Sequence, residues 1–216
     1  EDTLSLHDAL PIFEYYTRAL ALHEELGNKR EMGSNILNIG VMYKNRSENE
    51  MALEYYTRAL ALFEEFGSKS GMAATLGNIG IVYRSLSEYP KALEYFTRAL
   101  ALDEELGNKR GVASHTDNLG TVYQNLSEYA KALEYYTRAL AIDEELGNKQ
   151  GEARHYGNIG IVYWYLSEHT LAIEYHTRAL AIVEELGTKR EVAKWICNIG
   201  NVYYSLTEYS KALEYH

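Results

Sequence analysis

Five asparagines recur at a constant interval of 40 residues: Asn38, Asn78, Asn118, Asn158 and Asn198. A carboxamide donates through its nitrogen and accepts through its oxygen, so a row of them can hold a peptide backbone irrespective of its sequence. The same group can instead bond a neighbouring helix and set the twist between repeats, and the two roles are compatible. Asparagine is a mediocre helix former, so its persistence asks for a cause. The residue types that usually carry catalysis are arranged less suggestively. His115 and His155 occupy equivalent places one period apart, but no cysteine or carboxylate completes a metal shell at ligand spacing. Cys197 has no identifiable base beside it and reads as a small neutral side chain. Glu104 and Glu105 sit at a helix end, exposed and repeated, unlike a buried acid–base pair; the lysine of the following turn is expected to compensate them. Gly157-Asn158-Ile159-Gly160 mimics a phosphate loop but lies inside a helix. No catalytic residue, metal or cofactor is expected.

The elements that carry these residues come from the repeat itself. Thr-Arg-Ala-Leu-Ala returns at Thr17, Thr57, Thr97, Thr137 and Thr177. A fixed period of 20 to 50 residues marks a stacked array whose units cannot bury their apolar faces alone. Each period holds two helices with apolar spacings of three and four, such as Leu119, Val122 and Tyr123, then Ala132, Leu133, Tyr136, Ala139 and Leu140. Gly27, Gly67, Gly107, Gly147 and Gly187 are placed as left-handed C-caps. Asn28, Ser68, Asn108, Asn148 and Thr188 follow as N-caps, and Ser47, Ser87, Ser127, Ser167 and Thr207 are assigned the same role between paired helices. Short links predict antiparallel neighbours. Gly40, Gly80, Gly120, Gly160 and Gly200 fall mid-helix, and each costs about 1 kcal/mol relative to Ala. Close approach to Ala52, Ala92, Ala132, Ala172 and Ala212 is the expected reason.

Composition narrows the function classes. The chain has 216 residues, 46% of them hydrophobic, with 21 basic against 31 acidic residues and a net charge of −10. That balance argues against nucleic acid and anionic membrane surfaces as partners. A single cysteine favours a reducing, cytoplasmic setting. No apolar run approaches the roughly 20 residues that span a bilayer. Residues 1–13 fit the repeat poorly and read either as an artefactual leader, similar to translated sequencing-adapter read-through, or as a degenerate capping helix.

The order Leu119-Gly120, Tyr123, Ala132, Tyr136, Ala139 resembles the tetratricopeptide repeat family, over residues 14 to 216. The period is longer than the usual 34 residues and the terminal proline is absent, as in units similar to those of kinesin light chains, Pins-type adaptors and bacterial regulatory proteins. The resemblance implies an all-α, right-handed superhelical solenoid of antiparallel helix pairs. Its expected parts are a second helix at 14–28, repeats at 29–66, 69–106, 109–146 and 149–186, and a truncated repeat at 189–216. First helices then line a concave groove, and the stripe 34, 37, 41, 44, 45 with its copies faces a ligand. The asparagines would meet about every third residue of an extended peptide, given helix spacings of about 8–10 Å and an advance of about 3.3 Å per residue. Lys44, Arg84, Arg154 and Lys194, set against Asp117, give the stripe a basic character, while Trp164, Tyr165 and Tyr204 add hot-spot surface. The expectation is a non-catalytic scaffold for an acidic, extended peptide or partner segment. The alternatives are a regulatory segment of a larger signalling enzyme, of histidine kinase or nucleotide cyclase type, and self-association through uncapped ends.

Overall fold

Each of the helices from the first to the tenth ends where one residue enters the left-handed region. Gly27, Gly67, Gly107, Gly147 and Gly187 do so at φ between 63° and 72°, as the sequence predicts. Ser47, Ser87, Ser127, Ser167 and Thr207 do so as well, at φ between 59° and 61°. This corrects their assignment as N-caps. The N-cap is the next residue, Glu48, Glu88, Glu128 or Glu168, and none of these four makes a side-chain capping bond. The cause is the tightness of the link. Glu88 N–H must reach back to Tyr83 C=O at 2.9 Å and Ser87 N–H to Arg84 C=O at 3.0 Å, a closure that requires the serine to turn left-handed. Asn28, Ser68 and Asn148 do cap, each accepting from the backbone N–H three residues on. Thr188 occupies its N-cap without that bond.

The chain, a computed structural model, is described over residues 6–215, with side chains from residue 14 onward. Among the described residues the elements are helices, with no strand: α1 Leu6–Glu25, α2 Lys29–Asn45, α3 Asn49–Glu65, α4 Lys69–Ser85, α5 Tyr89–Glu105, α6 Lys109–Asn125, α7 Tyr129–Leu146, α8 Lys149–Tyr165, α9 His169–Glu185, α10 Lys189–Ser205 and α11 Tyr209–Tyr215. They pack as consecutive pairs, the arrangement of an all-α solenoid. Two compact units divide at Asn108 and Lys109, the first holding α1 to α5 and the second α6 to α11. α1 runs through the expected boundary at residue 13, while residues 1–5 of the proposed leader lie outside the described residues.

In the first unit, Leu20, Ile36, Ile39, Ala59 and Phe63 form one core cluster, and Ala52, Tyr56, Ile79 and Val82 another. In the second, Ala132, Tyr136, Leu140, Ile159 and Val162 pack together, as do Ala153, Ala179, Val183 and Trp195. Each cluster joins side chains of consecutive repeats, which is why one repeat alone lacks a core. Fully burying such a side chain contributes about 1.5–3 kcal/mol.

The mid-helix glycines make room for a ring rather than for an alanine. A methyl added at Gly120 would stand 2.8 Å from the Tyr136 ring, at Gly80 2.8 Å from Phe96, and at Gly160 2.7 Å from His176. The alanine partner is secondary: at Gly40 the Ala52 carbonyl oxygen would be 3.4 Å away against 2.6 Å for Tyr56. Helix-end glutamates are also paired differently from expectation. Glu65 meets Lys29, Glu105 meets Lys69 and Glu145 meets Lys109, so each is compensated by the lysine opening its own pair, not the following turn. These pairs are half-exposed and each contributes no more than about 1 kcal/mol.

Candidate functional site

The first helices carry all of the residues singled out by the sequence. On α2 and α4 Ile39 and Ile79 are buried, which turns Asn38, Lys44, Asn78 and Arg84 toward the half-buried shoulder of the same helices. Asn78 Nδ2 donates to the carbonyl of Ala74 at 2.9 Å, one turn back on its own helix. In the second unit Asn118 does the same toward Ser114 at 3.0 Å. At Asn78 such a bond engages the donor side of the amide, and the carbonyl oxygen can still accept. Asn38 and Asn198 are half-buried.

Asn158 is engaged elsewhere. Its Nδ2 lies 3.2 Å from Asp117 Oδ1, which joins α8 to α6. Arg154 Nε stands 3.4 Å from Asp117 Oδ2. Between them, out of solvent entirely, lies His155: Nδ1 is 3.1 Å from Asp117 Oδ1 and Nε2 is 2.9 Å from Asp143 Oδ2 on α7. A carboxylate only accepts, so both contacts are hydrogen bonds when the ring carries both protons. Asn148 Nδ2 covers the remaining Asp143 oxygen at 3.0 Å. Burial alone pushes the Asp117 carboxyl up, but the His155 hydrogen bond, the Arg154 and His155 charges and the Asn158 amide outweigh it and hold the group below its ordinary value. The cluster therefore ties α6, α7 and α8 together through hydrogen bonds to His155 and the Arg154–Asp117 ion pair.

This network was not foreseen. Its signal lies twelve residues apart within each copy: Asp143 goes with His155, whereas Val183 goes with Trp195 and Phe63 with Thr75. Where the pair is apolar, Trp195 takes the buried space, and a methyl at Gly157 would stand 1.9 Å from its ring. Gly157 and Gly77 thus lie buried within the variable stripe, while Arg154, Trp164, Lys194 and Tyr204 are exposed.

The second unit's other predicted residues form an aromatic surface. Trp164 Nε1 donates to Ser205 Oγ at 3.2 Å, linking α8 to α10. Its ring lies 5.1 Å from Tyr165, which stacks on Tyr129 at 5.6 Å. Tyr204, 64% exposed, meets Tyr209 edge-on at 5.6 Å. Lys194 Nζ lies 4.0 Å above the Trp195 ring and 3.9 Å from Glu191. Beneath α6, the buried Tyr136 hydroxyl is within hydrogen-bond distance of two stripe residues, Gln124 Oε1 at 2.9 Å and Thr121 Oγ1 at 3.2 Å. No group of three histidine, cysteine or acidic side chains among the described residues is placed to hold a metal ion. No described helix is long and apolar enough to cross a membrane.

Comparison with known proteins agrees with this geometry. Over 96% of the chain, the fold matches the crystal structure of BtubC (BKLC) from P. vanneervenii with a TM-score of 0.83, at 21% identity and covering 87% of that protein. A Rap protein complexed with competence and sporulation factor matches over 90% of the chain, at TM-score 0.73 and 20% identity. A signal transduction ATPase with numerous domains and a tetratricopeptide repeat sensor, from Pyrococcus horikoshii, matches over 94% at TM-score 0.82 and 17% identity. The chain spans 55% of the Rap protein and 32% of the ATPase. No curated protein sequence matches it. The family model described as tetratricopeptide repeat matches residues 34–105, 111–185 and 151–216. On that match and on the helix-pair packing, the chain belongs to the tetratricopeptide repeat family.

Proposed function

We propose that the first-helix face is a docking surface for an extended polypeptide, and that the protein is a binding scaffold rather than a catalyst. The observation that carries this reading is the contrast along one helix. Ile199 and Gly200 of α10 are buried, whereas the varying residues Lys194, Asn201 and Tyr204 around them are exposed. A surface that changes from copy to copy while its support does not is suited to reading a ligand. The Rap neighbour, solved with competence and sporulation factor, supports a small polypeptide as the class of ligand.

An acidic ligand fits the first unit best. Lys44 and Arg84 occupy matching places on α2 and α4, and Lys44 forms no ion pair among the described residues. In the second unit Arg154 already faces Asp117 and Lys194 faces Glu191, so aromatic contacts of Trp164 and Tyr204 carry more of the recognition there. Within the asparagine row, Asn78 would hold the peptide backbone through the oxygen that its own bond leaves accepting. The test is titration of a library of acidic and neutral extended peptides, followed by calorimetry. The Lys44→Glu, Arg84→Glu double variant is expected to weaken acidic peptides by about tenfold or more. Unchanged affinity, or equal binding of neutral and acidic peptides, would sink the charge preference.

A second reading is a sensory segment of a larger signalling protein, which the likeness to the ATPase with a tetratricopeptide repeat sensor favours. Extending the reading frame on either side of the chain and finding no signalling domain would remove it.

A further inference from the structure

Each turn between the paired helices carries a glutamate and two tyrosines in ring contact, and four of the five turns also carry a cation. At the α4–α5 turn Lys91 Nζ is 2.5 Å from Glu88 Oε2 and 4.9 Å above the Tyr83 ring, which stacks on Tyr95 at 5.4 Å. At α6–α7 Lys131 meets Glu128 at 2.6 Å and Tyr123 at 4.9 Å, with Tyr135 stacked at 5.3 Å. At α10–α11 Lys211 meets Glu208 at 2.6 Å and Tyr203 at 5.2 Å. The α2–α3 turn has Met51 in the lysine's place, and a different cation replaces it: Arg46 Nε is 2.8 Å from Glu48.

The α8–α9 turn has neither. Leu171 stands where the lysine would be and Leu166 where Arg46 is. The rest of the arrangement is intact, with Tyr163 and Tyr175 5.3 Å apart and Glu168 exposed at the turn. Among the described residues Glu168 forms no ion pair and no cation lies over the Tyr163 ring. The Tyr163 hydroxyl agrees: burial pushes it up, then Tyr175, Glu168 and Glu174 do, with no cation opposing them, whereas at Tyr43, raised by burial in the same way, the Arg46 charge works against the rise. Around this turn Leu166 is 42% and Tyr165 51% exposed.

We infer that the α8–α9 turn is a docking point for a cationic side chain, a lysine by analogy with three other turns, supplied by a partner polypeptide. The carboxylate of Glu168 and the face of Tyr163 take the ammonium, as Glu88 and Tyr83 take that of Lys91, and exposed Leu166 and Tyr165 meet the stem and its neighbours. Charge complementarity selects the occupant, because an electron-rich ring and an unpaired carboxylate attract a cation, repel an anion and hold a neutral donor more weakly. The ammonium site on Glu168 and Tyr163 lies on the turn; of the residues beside it only Tyr165 also belongs to the first-helix stripe, and the assignment stands whether or not the groove reading holds.

The test is an NMR titration of the whole chain at low salt with a capped Gly-Lys-Gly peptide and its Nε-acetyl counterpart, following tyrosine ring and backbone signals. Shifts centred on Tyr163 and Glu168 are expected with the free amine, reduced about tenfold with the acetylated peptide. Leu171→Lys supplies the cation in cis and is expected to abolish the shifts while folding normally, since it copies three existing turns. Glu168→Gln is expected to abolish them as well, and Lys44→Glu with Arg84→Glu to leave them unchanged. Shifts spread equally over Tyr83, Tyr123 and Tyr203, or undiminished in Leu171→Lys, would overturn the assignment.

Discussion

His155 Nε2 lies 2.9 Å from Asp143 Oδ2, with the ring wholly out of solvent and its other nitrogen on Asp117. A buried polar ring that bridges two carboxylates is stable only while all three groups are present. His155→Ala is therefore expected to destabilise the second unit by about 3–5 kcal/mol, because two carboxylates lose the hydrogen-bond partner they share. The chain itself contains the apolar alternative, Gly157, Val183 and Trp195. The triple exchange Asp117→Gly, Asp143→Val, His155→Trp should recover most of the loss, whereas His155→Trp alone should not. Urea unfolding of the three variants checks this through their non-additivity.

His176 gives a pH dependence with a definite sign. Burial first, and then the Lys194 charge, lower its pKa from 6.5 to about 4. Below pH 6.5 the unfolded chain takes a proton that the folded chain refuses until about 4, so stability falls as pH falls through that window. The full loss amounts to about 3 kcal/mol. His176→Phe, which copies Phe96, should flatten the melting temperature between those limits; an unchanged slope would contradict the assignment.

The left-handed serines give a stabilising substitution at a surface. A β-carbon in this region costs about 1–2 kcal/mol. Ser87→Gly or Ser127→Gly should raise stability by about 0.5–1 kcal/mol, the unfolded-state entropy of glycine offsetting part of the gain. Had these serines been N-caps, a change to glycine would cost a few tenths of a kcal/mol instead. The denaturation midpoint distinguishes the two signs.

Gly120→Ala separates helix propensity from packing. Propensity alone favours alanine by about 1 kcal/mol. The new methyl would stand 2.8 Å from the Tyr136 ring, and displacing a buried ring costs about 1–3 kcal/mol. A net destabilisation is expected, read as a lower midpoint with an unchanged m-value.

Much of this fold was legible because the chain compares itself with itself. The helix pairs, the glycine turns and the need for space at Gly40 and its copies follow from period and spacing. The turns within each pair were misread because Ser-Glu after a leucine is compatible with both a capping serine and a left-handed one; only the number of linking residues decides. The asparagine row was legible as a row but not in its bonding. Asn78 and Asn118 turn to their own helices, while Asn158 meets an aspartate 41 residues earlier that no other copy possesses. The charged cluster hid for a related reason. Its members are ordinary surface types, and only their joint replacement in the next copy betrays that they are buried together.

Gln124 and Thr121 lie on the face that should be freest to change, yet both sit within reach of the Tyr136 hydroxyl. Re-engineering that stretch for a new target is thus a coupled problem: an apolar choice at both sites strands an interior phenol, unless Tyr136 becomes Phe, as Phe96 is one period earlier, in the same step. Libraries that vary the outward face while freezing the interior would discard such solutions unseen.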